Sequence, residues 1–238
     1  MGSNRKTAIA VGVLFIVGTV AGSLSVVLSA SILGAPDYLA EIAANENRVV
    51  VGALLELIMA AAVVAIPFVM FPIFKKHNEP IALGYVGARI IEGVGYIVAV
   101  IILLSLTTLS QAFVKAGAPD ASYFQASGAL LLAEREWATL VGVYIVFNLG
   151  ALMFYYLLYQ SKLIPRFISA WGFIAALLWL TGVLLILFGL TDDSSTTYTL
   201  SFVPMFAQEM VLAVWLIVKG FNPSAIDPGS TKTDTNKV

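Results

Sequence analysis

The sequence predicts an all-α polytopic membrane protein, a bundle of about six transmembrane helices with both ends in the cytoplasm. Three observations predict it: composition, six long apolar stretches, and a one-sided distribution of lysine and arginine. Of 238 residues, 60% are hydrophobic and only 11% charged, where an ordinary soluble domain carries roughly 25% charged residues. One globular core of this size cannot hide so much apolar surface, so the lipid bilayer must cover the rest. The formal net charge of −1 gives no reason to expect nucleic acid as a partner. With no cysteine and a single histidine, His77, disulfides, thiolate catalysis and cysteine- or histidine-rich metal sites are excluded. No cofactor is expected.

A helix needs about 20 apolar residues to cross a bilayer. The stretches run over 8–32, 49–74, 81–108, 137–160, 167–190 and 199–219. The first follows Arg5 and Lys6 but is longer than a signal-peptide core of about 7–15 residues, so it reads as an uncleaved helix. Arg5, Lys6, Lys75, Lys76, Lys162, Arg166, Lys219, Lys232 and Lys237 fall on one side of the six stretches. Only Arg48 and Lys115 fall on the other side, outside the spans. The basic side is the cytoplasmic one. Asp37, Glu41, Glu46, Asp120, Asp192 and Asp193 gather outside. The inner loop Lys75–Pro80 carries His77 as a surface residue. Tyr155, Tyr156, Tyr159 and Trp171 are expected at the inner interface, and Tyr38, Tyr123 and Tyr198 at the outer one.

Between the first two spans, Asp37 is placed to cap a short surface helix with Tyr38, Leu39 and Ile42 on one face. The segment Asp120–Trp137 has helical character and leads into the fourth span. Glu134, Arg135 and Glu136 near its end read as a solvated interfacial cluster. Pro67, Pro72 and Pro204 are expected to kink their helices. Residues 221–238, rich in Asn, Pro, Ser, Asp, Thr and Lys, read as a disordered cytoplasmic tail.

Charges inside spans carry the functional signal, because each costs about 2.5–3.5 kcal/mol at a helix centre even on the mildest scale. At about 1.5 Å per residue, Arg89 lies about 12–15 Å and Glu92 about 17 Å from the inner end of the third span. Glu209 and Asn148 reach about 15 and 18 Å in their own spans. These four form one layer near mid-bilayer. Glu56 lies about 27 Å from the inner end, in the outer half, as a secondary candidate. Arg89 and Glu92 are i and i+3 and share a helix face with Tyr85, Gly93 and Tyr96. The candidate ligand-binding residues are therefore Arg89, Glu92, Asn148, Glu209, Tyr85 and Tyr96. The alternative is a polar clamp that only fixes helix register, and for Asn148 an interhelical hydrogen bond.

No phosphate-cradling glycine loop, zinc-protease helix or nucleophile elbow is present. The first expectation is therefore a small transporter or ligand-binding membrane protein, with Arg89 taking an anionic group and Glu92 or Glu209 a proton. The bound species would be a small molecule or a lipid. An intramembrane enzyme acting on a lipid or isoprenoid through the same carboxylates is a second possibility. An accessory or sensor protein using its outer helices is a third.

Three segments carry a family likeness. They are Gly84-Tyr85-Val86-Gly87-Ala88-Arg89-Ile90-Ile91-Glu92-Gly93, the run from Leu149-Gly150 through Phe154–Tyr159, Leu163–Arg166 and Ser169–Gly172, and Glu209–Phe221. In this order they resemble the bacterial membrane family labelled domain of unknown function 4386. The likeness covers the chain from the first span through Phe221. It implies a prokaryotic multi-span protein of the plasma membrane and no particular activity. The matching positions Arg89, Glu92, Pro165, Arg166, Trp171, Glu209, Trp215 and Lys219 include the buried charges singled out on physical grounds.

Overall fold

An apolar segment away from water satisfies its backbone hydrogen bonds internally only as a helix or in a closed barrel. The computed structural model describes residues 3–117, 121–192 and 194–226, and every regular element among them is helical. In chain order these are α1 (Ser3–Leu33), α2 (Tyr38–Ala44), α3 (Glu46–Ala116), α4 (Ala121–Trp137), a π-helix (Ala138–Ile145), α5 (Val146–Ser161), α6 (Arg166–Leu187), α7 (Thr196–Val218) and α8 (Pro223–Ile226). Five helical stretches are long and apolar enough to cross a membrane: Asn4–Leu33, Glu46–Ala116, Ser122–Ser161, Arg166–Leu187 and Thr196–Val218. Asp120, Asp193 and residues 227–238 of the expected tail lie outside the described residues.

The second stretch merges two of the expected spans. Its 71 residues extend about 105 Å at helical rise, over three times a hydrocarbon core of about 30 Å. The backbone breaks at Asn78, whose φ of −159° and ψ of 95° are non-helical. The Asn78 Oδ1 accepts the Ile81 N–H at 3.2 Å, as an N-cap does. Pro80 has no N–H to leave unpaired in the new first turn. The loop expected over 75–80 is thus a break at one residue, because asparagine and proline together restart the helix at once. Pro67 and Pro72 lie inside α3, and Asn78 is the residue where its dihedrals leave the helix.

The chain falls into two units, residues 1–15, 65–88 and 148–238 (unit 1) and residues 16–64 and 89–147 (unit 2). In unit 1, the Arg5 guanidinium donates to the carbonyls of Leu216 (3.2 Å), Ile217 (2.6 Å) and Val218 (3.1 Å). It thereby occupies the last acceptors of α7, which have no partner within the helix. Gly220, at φ +77°, turns the chain away there. Asn222 N–H then donates to Leu163 O at 2.8 Å. Phe221, Ala225 and Ile226 are buried, so the first residues after Gly220 pack through the turn α8. Phe74, Tyr85 and Phe154 form an aromatic knot, with ring centroids 5.2–6.2 Å apart.

In unit 2, α2 is held more tightly than an interfacial helix. Leu39 and Ile42 are buried with Ile32, Val49, Ala53, Val100, Leu103 and Leu106. Asp37 occupies its N-cap position, and its backbone carbonyl, not its side chain, accepts from Ala40 and Glu41. Small residues set the helix contacts. A Cβ added at Gly93 would stand 2.6 Å from Val64 Cγ2, and one at Gly95 would stand 2.5 Å from the Gly142 carbonyl oxygen.

Candidate functional site

The spacing Arg89-x-x-Glu92 does what helical geometry demands of i and i+3. Arg89 Nη1 and Glu92 Oε2 are 2.8 Å apart, with side chains 2% and 0% exposed. The Arg89 guanidinium also lies over the Phe147 ring, 4.6 Å from its centroid. Gly93, one residue on, lets Val64 approach the backbone closely there. The second carboxylate oxygen, Glu92 Oε1, is buried and has no hydrogen-bond partner among the described residues.

A second ion pair lies in the same unit. Arg135 Nη2 and Glu56 Oε2 are 2.7 Å apart, with side chains 17% and 8% exposed. This corrects the expectation of a solvated cluster at 134–136, in which only Glu134 and Glu136 are exposed. Arg135 shares a helix face with Gly128 and Leu131, seven and four residues earlier, which pack inward. That periodicity was the available signal for its burial.

Tyr96 lies near both pairs: it follows Glu92 by one helical turn and is buried with Val143 and Ala60, the latter one turn from Glu56. The π-helix supplies Tyr144 and Gly142 and stands between Arg135 and Phe147 in the chain. The Gly95–Gly142 approach brings it against α3. Nothing in the sequence marks a π turn. Such turns occur frequently at functional sites.

Tyr85, Asn148 and Glu209 belong to unit 1. Tyr85 is packed in the aromatic knot and Asn148 is fully buried. Glu209 is partly exposed, whereas its neighbour Gln208 is fully buried. Gln208 Nε2 donates to Ile168 O at 3.1 Å, and its Oε1 accepts from the Tyr155 hydroxyl at 2.5 Å. Tyr155 is therefore a core hydrogen-bond donor and not an interfacial anchor. The helical spacing of Met205, Gln208 and Leu212, all buried, points to Gln208.

Among the described residues no group of three or more His, Cys, Asp or Glu could hold a metal ion. An apolar groove of about 450 Å³ runs along α7, lined by Met210, Val211, Val214, Trp215, Val218 and Lys219.

Fold and composition define an all-helical protein with several helices apt to lie in a membrane, carrying enclosed ion pairs in its second unit. The chain belongs to the family described as Domain of unknown function (DUF4386), whose profile matches residues 10–220. No curated protein and no solved structure matches it.

Proposed function

We propose that this is a six-span plasma-membrane protein of a prokaryote, with both ends cytoplasmic, that binds and carries a small molecule at Arg89 and Glu92. Two features support the topology. The Arg5 contact joins the start of α1 to the end of α7, which favours an even number of crossings between them. Read as a turn between two crossings, the break at Asn78 gives six with the other four apolar helices. The lysine and arginine bias assigns that face to the cytoplasm.

One observation carries the functional part. A clamp serving only stability would satisfy both carboxylate oxygens, since a buried acceptor left without a donor costs about 1–3 kcal/mol or more. Glu92 satisfies one. The spare acceptor suits a proton or a donor group on a ligand. Arg89 is always charged and presents its donors in a planar fork, so it can exchange Glu92 for the carboxylate or phosphate of a ligand. Glu92 released from Arg89 then takes a proton, which avoids a lone charge in a dry interior.

The test uses purified protein in proteoliposomes with a panel of small carboxylates and phosphates. Binding is read as thermal stabilisation and transport as uptake. Arg89→Gln and Glu92→Gln are each expected to abolish both, in protein that still elutes as a single species. Were either effect to survive in the double variant Arg89→Gln/Glu92→Gln, the assignment would fall.

A further inference from the structure

Unit 2 contains more buried polar chemistry than an Arg89–Glu92 binding pair uses. Arg135 pairs directly with Glu56, and Glu56, Tyr96 and Glu92 follow in steps of about one helical turn. Tyr96 is four residues beyond Glu92 on the second half of α3, about 6 Å along the axis. It packs on Ala60 of the first half. Glu56 is four residues before Ala60, and that half runs in the opposite sense, so Glu56 stands one turn further from Glu92. Arg135 closes the series from α4 and is its most exposed member. We infer that Glu56 and Tyr96 form a proton-conducting limb to Glu92, with the Arg135–Glu56 ion pair as its outer closure. This rests on the reading of Glu92 as the proton-carrying carboxylate.

The surroundings favour conduction of a proton over passage of a larger ion. The charged groups paired with Glu92 and Glu56 are Arg89 and Arg135; Tyr96 follows Glu92 by one helical turn, and Tyr144 of the π-helix packs against the cluster that holds Tyr96. From α1, residues 16–33 contain no titratable group. On α4, Glu134 and Glu136 are exposed. Tyr96 is buried with Ala60 and Val143, and Met59 and Tyr144 pack against this cluster, a dry setting that suits a hydroxyl relay better than a hydrated ion.

The transfer balances without a further reactant. A proton from the aqueous side converts the Glu56 carboxylate to the acid and releases Arg135 towards solvent. The Glu56 O–H bond breaks as a new O–H bond forms on the Tyr96 oxygen, and the original Tyr96 O–H bond breaks as one forms on Glu92 Oε1. Tyrosine ends as it began. Glu56 is again a carboxylate and re-forms its pair with Arg135. Glu92 ends neutral, leaving the Arg89 guanidinium available.

The test follows the carboxylic-acid carbonyl band of Glu92 by infrared spectroscopy after rapid acidification of protein in vesicles, the band being identified by its loss in Glu92→Gln. With Tyr96→Phe and with Glu56→Gln, the band is expected to rise at least about tenfold more slowly than in the unaltered protein, with the same final amplitude. A structural defect would lower the amplitude instead. Unchanged rates in both variants would overturn the limb and leave the role of Glu92 standing. Absence of any acid-induced band assignable to Glu92 would overturn both.

Discussion

The Arg5 guanidinium donates to the Ile217 carbonyl at 2.6 Å, joining the first turn of α1 to the last turn of α7. Together with its bonds to Leu216 and Val218, it caps a helix end with a cation, where the helix dipole favours one. Hydrogen bonds to charged groups are worth about 1.5–3 kcal/mol. Arg5→Ala is expected to destabilise the protein by about 2 kcal/mol, read from thermal unfolding in detergent. Gly220→Ala should act in the same direction, since its Cβ would stand 2.8 Å from Arg5 Nη1 at a positive φ.

Variants of Arg89 and Glu92 separate a stability role from the proposed binding role. Removing one partner of a buried pair costs about 3–5 kcal/mol, while replacing both by apolar residues is often neutral. Arg89→Met alone should therefore unfold at lower denaturant than Arg89→Met/Glu92→Leu. The double variant should regain stability and still lack binding in the proteoliposome assay.

Gly95 and Gly87 make an internal comparison. A Cβ at Gly95 meets the Gly142 carbonyl, whereas one at Gly87 meets nothing within 4 Å. Gly95→Ala is expected to lower stability by about 1–3 kcal/mol through forced separation of α3 from the π-helix. Gly87→Ala should raise it by about 1 kcal/mol through helix propensity. Thermal unfolding of the two variants side by side reads the difference.

Tyr155→Phe leaves the buried Gln208 Oε1 without the hydroxyl that now donates to it. The expected cost is about 1–3 kcal/mol. Adding Gln208→Leu should cost less than the sum of the single changes, because the two side chains share one interaction. A double-mutant cycle by denaturant unfolding measures that coupling.

His77 sits beside the break in α3 at Asn78, in the polar segment between the apolar stretches 49–74 and 81–108. Burial holds its imidazole below the ordinary value of 6.5, partly offset by a hydrogen bond with the Ala225 backbone and reinforced by Lys76. The unfolded chain then binds more protons than the folded one between the two values. Stability should be level above about pH 6.5 and fall as pH drops through that value. His77→Gln is expected to flatten this slope in unfolding curves taken over the same range.

Helices were legible wherever apolar length alone dictates them. The break at Asn78 was legible as a polar inner segment, but its extent was not. A single capped residue and a loop place the same lysines at the same face. Arg89 and Glu92 could be paired because i and i+3 is a property of one helix. The Arg135–Glu56 pair joins residues 79 positions apart, so only tertiary packing brings them together. Gln208 sits on the buried stripe of α7 with Met205 and Leu212, a position that hydrophobic periodicity marks and charge does not.

The π-helix has a mechanical consequence. Each π turn holds one residue more than an α turn, so moving that surplus residue along the chain rotates whatever lies beyond it by about 100°. Arg135 precedes the segment and Phe147 follows it. A slip of the surplus past Phe147 would swing the ring off the Arg89 guanidinium and leave Arg135 on Glu56, uncovering one ion pair while the other stays shut.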